Sequence, residues 1–95
     1  SNLLDVARLR LLAGSMGVTQ VSIAKRDVVL GRETIVFKVE VPHLFPLDKA
    51  AALHKRFAGA EFDRRAQTLS VPLVPSRGTP LEQCLTLALH LSRGE

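Results

Sequence analysis

The chain is organised around its first predicted helix, LLDVARLRLLAGSM at residues 3–16. Projected at about 100° per residue, its apolar positions form two groups instead of one stripe. One group is Leu3, Leu4, Ala7, Leu11 and Gly14, and the opposite group is Val6, Leu9, Ala13 and Met16. Because an ordinary surface helix has one apolar face, this pattern predicts a helix covered on two sides. The cover is either a sheet and another helix of the same domain, or a neighbouring domain or preceding segment lying against the Val6 group.

The composition is typical of a single globular domain. The 95 residues suffice for one core, and 46% of them are apolar against 23% charged. The single Cys84 excludes an internal disulfide, and the sequence has no apolar run near 18 residues and no signal-peptide pattern. Residues 1–2 are expected to be a cloning remnant in front of one domain at 3–95, taken from a larger cytoplasmic protein.

Two strands follow the helix, or three if the second is broken by a turn. Gly17 is expected to close the helix, and alternating apolar residues predict a strand over 18–23. Lys25-Arg26-Asp27 is predicted to turn the chain into a second strand from Val28, which Gly31-Arg32-Glu33 interrupts as either a bulge or a second turn. Pro42 should end the strand, whose predicted inner face is Ile35, Phe37, Val39 and Val41.

The second half predicts a helix, a hairpin and a last helix. The helix over 47–58 has as its inward set Leu47, Ala50, Ala51, His54, Phe57 and Ala58. A polar turn joins strands at 61–63 and 69–73, and Pro72 places the second strand at a sheet edge or near its own end. Thr79-Pro80-Leu81-Glu82 is a capping box that starts the last helix. Its predicted buried face is Leu81, Cys84, Leu85, Ala88, Leu89 and Ser92, with Gln83 and His90 opposite.

These elements predict an α+β domain. Three helices would pack with an antiparallel or mixed sheet of about four to five strands, in the order α-β-β-(β)-α-β-β-α. The helices are expected to cover one face of the sheet.

The sequence offers no catalytic, cofactor-binding or metal-binding set. No phosphate-binding loop is present, because Gly31-Arg32-Glu33-Thr34 lacks the preceding glycine and the lysine that such a loop needs. His54 is interpreted as a core histidine bonded to a backbone carbonyl, and Cys84 as a buried apolar residue. We therefore expect a non-enzymatic domain without a cofactor.

The charge pattern leaves two kinds of partner open. The net charge of +4 comes largely from the doublets Lys25-Arg26, Lys55-Arg56 and Arg64-Arg65. Arg64-Arg65 at the hairpin turn are either part of a solvated turn or a partner contact, to protein carboxylates or to phosphate. If the doublets share one face, a small nucleic-acid-binding module is the alternative, although Tyr and Trp for base stacking are absent.

The opening helix also carries a family resemblance. The run from Leu4 to Arg10, LDVARLR, followed by Gly17-Val18, resembles the start of the C-terminal domain of the bacterial transcription-repair coupling factor, Mfd. The strand closing at Val41-Pro42, the basic segment His54-Lys55-Arg56-Phe57, the short hairpin and the last helix are similar too. Residues 31–34 are additional to the shorter connections of some members.

The resemblance implies a regulatory role. The parent would be an ATP-dependent DNA translocase that removes stalled RNA polymerase and recruits the excision-repair protein UvrA through other domains. This domain would dock on the N-terminal UvrA-binding module, mask it and restrain the translocase. Asp63, Arg64 and Arg65 are the residues expected in that contact, and the isolated domain is expected to be a monomer with no membrane partner.

Overall fold

The computed structural model describes residues 2–27 and 31–94 and confirms the α+β class. Within these residues, three α-helices accompany a four-stranded sheet. The elements are α1 (Asn2–Ser15), β1 (Val18–Asp27), β2 (Arg32–Val39), α2 (Leu47–Ala51), β3 (Glu61–Asp63), β4 (Thr68–Pro72) and α3 (Pro80–Arg93). Short 3₁₀ segments lie at Pro42–Leu44, Leu53–Lys55 and Pro75–Arg77.

The sheet is antiparallel throughout, with the strand order β1-β2-β4-β3. Phe37 of β2 lies between Val21 of β1 and Leu69 of β4, and Phe62 of β3 lies beyond Leu69. Because side chains alternate along a strand, these residues share the face that α1 and α3 cover. Pro72 is the last residue of β4, an interior strand, so its missing donor interrupts the ladder only at the strand end.

Within this chain the first helix is buried on one side only, so the expected cover by the sheet on one side and another helix of the same domain on the other is wrong. Leu9, Ala13 and Met16 belong to the core and pack towards α3 and β1. On the other side Leu3 is 85% exposed and Leu11 is 77% exposed. Within this chain α1 therefore packs on α3 and β1 through one side and leaves its other side exposed.

The first hairpin also differs from its prediction. Lys25-Arg26-Asp27 continues β1 instead of turning, and the register shifts between Lys25 and Asp27. Gly31, with φ of +64°, lies in the turn that leads into β2, so Gly31–Glu33 combines the end of a turn with the start of a strand. The strand predicted to begin at Val28 falls on residues 28–30, which lie outside the described residues.

The second helix is much shorter than the predicted range of 47–58. It ends at Ala51 and gives way to the 3₁₀ segment, which places Leu53 fully in the core. Leu47, Ala51, His54 and Ala58 are exposed, so most of the predicted inward set is wrong, whereas Ala50 is buried and Phe57 is half-buried.

The last helix begins where it was predicted to begin, but its buried face differs in part from the predicted one. Thr79 Oγ1 accepts from the Glu82 amide at 3.2 Å and completes the capping box. Cys84, Leu85 and Ala88 are buried as expected, but Leu87 and Leu91 are 0% exposed and complete the buried face. Leu81, Leu89 and Ser92 are only half-buried.

Candidate functional site

The hairpin turn between β3 and β4 holds the predicted contact residues. Asp63 Oδ1 accepts from the amides of Arg65 at 2.9 Å and Ala66 at 3.1 Å. Gln67 has φ of +53°, and its carbonyl accepts from the Val39 amide at 2.8 Å. Asp63 thus stabilises the turn, because a short acidic side chain can accept hydrogen bonds from backbone amides two and three residues further on.

The two arginines of this turn are exposed. The rings of Phe45 and Phe62 stack nearby, with centroids 5.2 Å apart, and line a cleft together with Arg64. This shallow cleft has a volume of about 140 Å³. The structure therefore brings the predicted Asp63, Arg64 and Arg65 together and presents two cations, while the carboxylate is engaged with its own backbone.

Arg56, of the second basic doublet, is engaged with the last helix. Arg56 Nη1 donates to His90 Nδ1 at 2.9 Å, and the guanidinium carbon lies 5.8 Å from the centre of the Phe57 ring. Burial, followed by the positive charges of Arg56 and Lys49, lowers the pKa of His90. A neutral imidazole nitrogen can accept a hydrogen bond from the Arg56 guanidinium, so this pair ties the segment after α2 to the last helix. Sequence reasoning missed the pair because the two residues are 34 positions apart.

Two of the basic doublets lie at opposite ends of the sheet's strands. In the strand register, Lys25 lies opposite Glu33 near the start of β2. Lys38, near the end of β2, lies opposite Thr68, which is close to the Arg64-Arg65 turn. Five residues of strand separate these two ends by about 17 Å. Lys55 ends the 3₁₀ segment Leu53–Lys55, and the adjacent Arg56 contacts His90 of α3. The separation of Lys25-Arg26 from Arg64-Arg65 weighs against a compact phosphate-binding surface formed by all three doublets.

The other candidate residues have local structural environments. His54 is exposed rather than in the core, and its Nδ1 lies 3.2 Å from the Ala51 carbonyl oxygen, which matches the predicted carbonyl partner but not the predicted burial. Cys84 is buried as predicted, and burial raises the pKa of its thiol to about 11. Among residues 2–27 and 31–94, no cluster of three or more His, Cys, Asp or Glu side chains could hold a metal ion.

Gln83, predicted on the outer side of α3, fixes the loop that leads into that helix. Its Nε2 donates to the Val74 and Gly78 carbonyls, both at 2.9 Å, and its Oε1 accepts from the Val74 amide at 3.0 Å. A mostly apolar cavity of about 180 Å³ lies alongside, between Ile35 and Phe57. All the hydrogen-bonding atoms of the Gln83 amide thus have backbone partners, which gives the residue a structural role.

The exposed side of α1 is the apolar group that the sequence analysis expected to be covered within the domain. Leu3, Leu4 and Leu11 are 85%, 72% and 77% exposed, respectively. Ala7 and Gly14 lie on the same side and are also exposed. Single exposed leucines are common on proteins, but three on one side of one helix form a continuous apolar stripe.

Comparison of the chain with protein-family models, curated proteins and solved structures returned no match. In the described part of the chain, no helix combines the length and the apolar character that crossing a bilayer requires.

Proposed function

We propose that this chain is a non-catalytic regulatory domain of a bacterial DNA translocase of the transcription-repair coupling type. The observation that carries the proposal is the LDVARLR run of the opening helix with Gly17-Val18 after it, which resembles the C-terminal domain of that family. In this role the domain docks on the N-terminal UvrA-binding module of its parent, masks it and restrains ATPase and translocase activity.

The hairpin turn supports such a contact physically. A clamp that must open when the parent engages RNA polymerase requires a coupling free energy of a few kcal/mol, which suits a mainly polar interface. Arg64 and Arg65 offer two exposed cations on a turn that the Asp63 carboxylate already orders, so docking would order little additional backbone.

The test is binding in trans between this domain and the purified N-terminal module, measured by titration calorimetry at two salt concentrations. We expect weaker binding at higher salt, because exposed charges are screened. Arg64→Glu with Arg65→Glu should weaken binding at least tenfold. Lys25→Glu, at the other end of the sheet, is the matched control and should leave it unchanged.

Two results together would overturn the proposal. One is the absence of binding at high protein concentration. The other is a parent protein lacking residues 3–93 whose ATPase activity and UvrA binding equal those of the wild type. A titration with duplex DNA at the same salt concentrations examines the alternative, since real phosphate contacts produce a steep negative salt slope.

A further inference from the structure

We propose that the exposed side of α1 is a docking site for an amphipathic helix whose apolar stripe is bordered by carboxylates. This site is separate from the hairpin turn. Helix α1 packs against β1 at one edge of the sheet, whereas β3, the first strand of the hairpin, forms the other edge. The inference goes beyond the proposed function and does not depend on it.

The spacing of the apolar residues along the stripe indicates that the occupant is a helix. Leu4 and Leu11 are seven residues apart, and Ala7 and Gly14 repeat the same interval three residues later. Apolar residues at alternating intervals of three and four form the seam along which two helices pack nearly parallel. Ala7 and Gly14 are small, so a second helix could approach α1 closely at these two positions.

The flanks of the stripe select the charge of the occupant. At 100° per residue, Arg10 falls beside Leu3 on one border, and Arg8 falls beyond Leu4 on the other. Both arginines are exposed. Asp5, the acidic residue of α1, lies nearer the buried side. A helix with glutamates along both borders of its apolar stripe would therefore pair with cations on each side.

The same flanks disfavour a second copy of this chain as the occupant. If two copies of α1 packed stripe to stripe, each border would face a border that also carries arginine, whether the helices ran parallel or antiparallel. Like charges at these positions are unfavourable, so a homodimer through this face would be selected against.

The test uses the whole chain and two synthetic 21-residue helical peptides with leucine at the heptad positions a and d. One peptide has glutamate and the other lysine at positions e and g. Fluorescence anisotropy of the labelled peptides should show the glutamate peptide binding at least tenfold more tightly. Leu11→Glu should abolish this binding with an unchanged circular dichroism spectrum, because Leu11 is 77% exposed. Leu44→Glu, at a 47% exposed leucine outside α1, is the matched control and should bind like the wild type.

Reversal of the charges provides an independent check. Arg8→Glu with Arg10→Glu should shift the preference to the lysine peptide. Equal binding of both peptides, or binding of neither, would overturn the proposal. Sedimentation showing a dimer of the chain that Leu11→Glu dissociates would also overturn it, since the occupant would then be a second copy.

Discussion

Gly17 is the residue at which the structure predicts the most severe effect of a single added methyl group. Its φ is +74°, a conformation that costs a residue with a Cβ roughly 1–2 kcal/mol. A Cβ built there lies 2.2 Å from the Val41 carbonyl oxygen and 3.0 Å from the Val41 Cβ. Because the first of these neighbours is backbone, no side-chain rotation relieves the clash.

Relieving the clash would also disturb hydrogen bonds. The Gly17 carbonyl accepts from the Glu40 amide at 2.9 Å and from the Val41 amide at 3.2 Å. Each such bond contributes about 0.5–1.5 kcal/mol. Adding the conformational cost, we expect Gly17→Ala to lower the free energy of unfolding by about 3 kcal/mol or more, a large part of the 5–15 kcal/mol typical of a domain.

Urea unfolding followed by circular dichroism measures this effect, with two other glycines as controls. Gly31→Ala has the same unfavourable sign of φ but places its Cβ within 4 Å of no described atom, so it should cost about 1–2 kcal/mol. Gly14→Ala, inside α1 with open space around its Cβ, should stabilise by about 0.5–1 kcal/mol. If Gly17→Ala cost no more than Gly31→Ala, the packing of the α1 end against Val41 would be wrong.

Three further predictions concern side chains. Asp63→Ala removes the acceptor of two exposed turn bonds and should cost about 1 kcal/mol, whereas Asp63→Asn retains an acceptor and should cost less; equal losses in urea unfolding would contradict this role. Cys84 should react with a thiol reagent only when the fold opens, and rapid labelling of the native chain at pH 8 would contradict its burial. The free energy of unfolding should also decline as the pH rises from 9 towards 11, because the thiol ionises at a lower pH in the unfolded chain than in the folded one. Because folding lowers the pKa of His90, the unfolded chain binds the proton more readily, so stability should fall as the pH drops below about 6.5. The urea midpoint of His90→Gln should decline less over this range, and parallel curves for the two proteins would refute the assignment.

Local rules were sufficient for the parts of the fold that short-range chemistry determines. The end of α1 at Gly17, the hairpin at 61–72 and the capping box at Thr79 were all predicted, since each depends on residues only a few positions apart. The inner face of β2 through Ile35, Phe37 and Val39 followed from alternation alone. The grouping of Asp63, Arg64 and Arg65 was equally predictable, because the three are consecutive.

Tertiary packing decided what periodicity left open. The sequence shows two apolar sides on α1, but only the arrangement of the sheet and α3 determines that Leu9 is buried while Leu11 is exposed. The helix predicted over 47–58 stops at Ala51, and the turn that follows places Leu53 in the core, where burial outweighs continued helical hydrogen bonding. The contact between Arg56 and His90 likewise depends on chain segments that only the fold brings together.

The sequence by itself therefore determined where most elements begin and end, because caps, turns and alternation act within a few residues. The tertiary structure alone decided which side of each helix faces the core and which groups meet across the sheet. The reason is that burial is a property of neighbouring layers, and a helix with two apolar sides carries no internal signal for the side that will be covered.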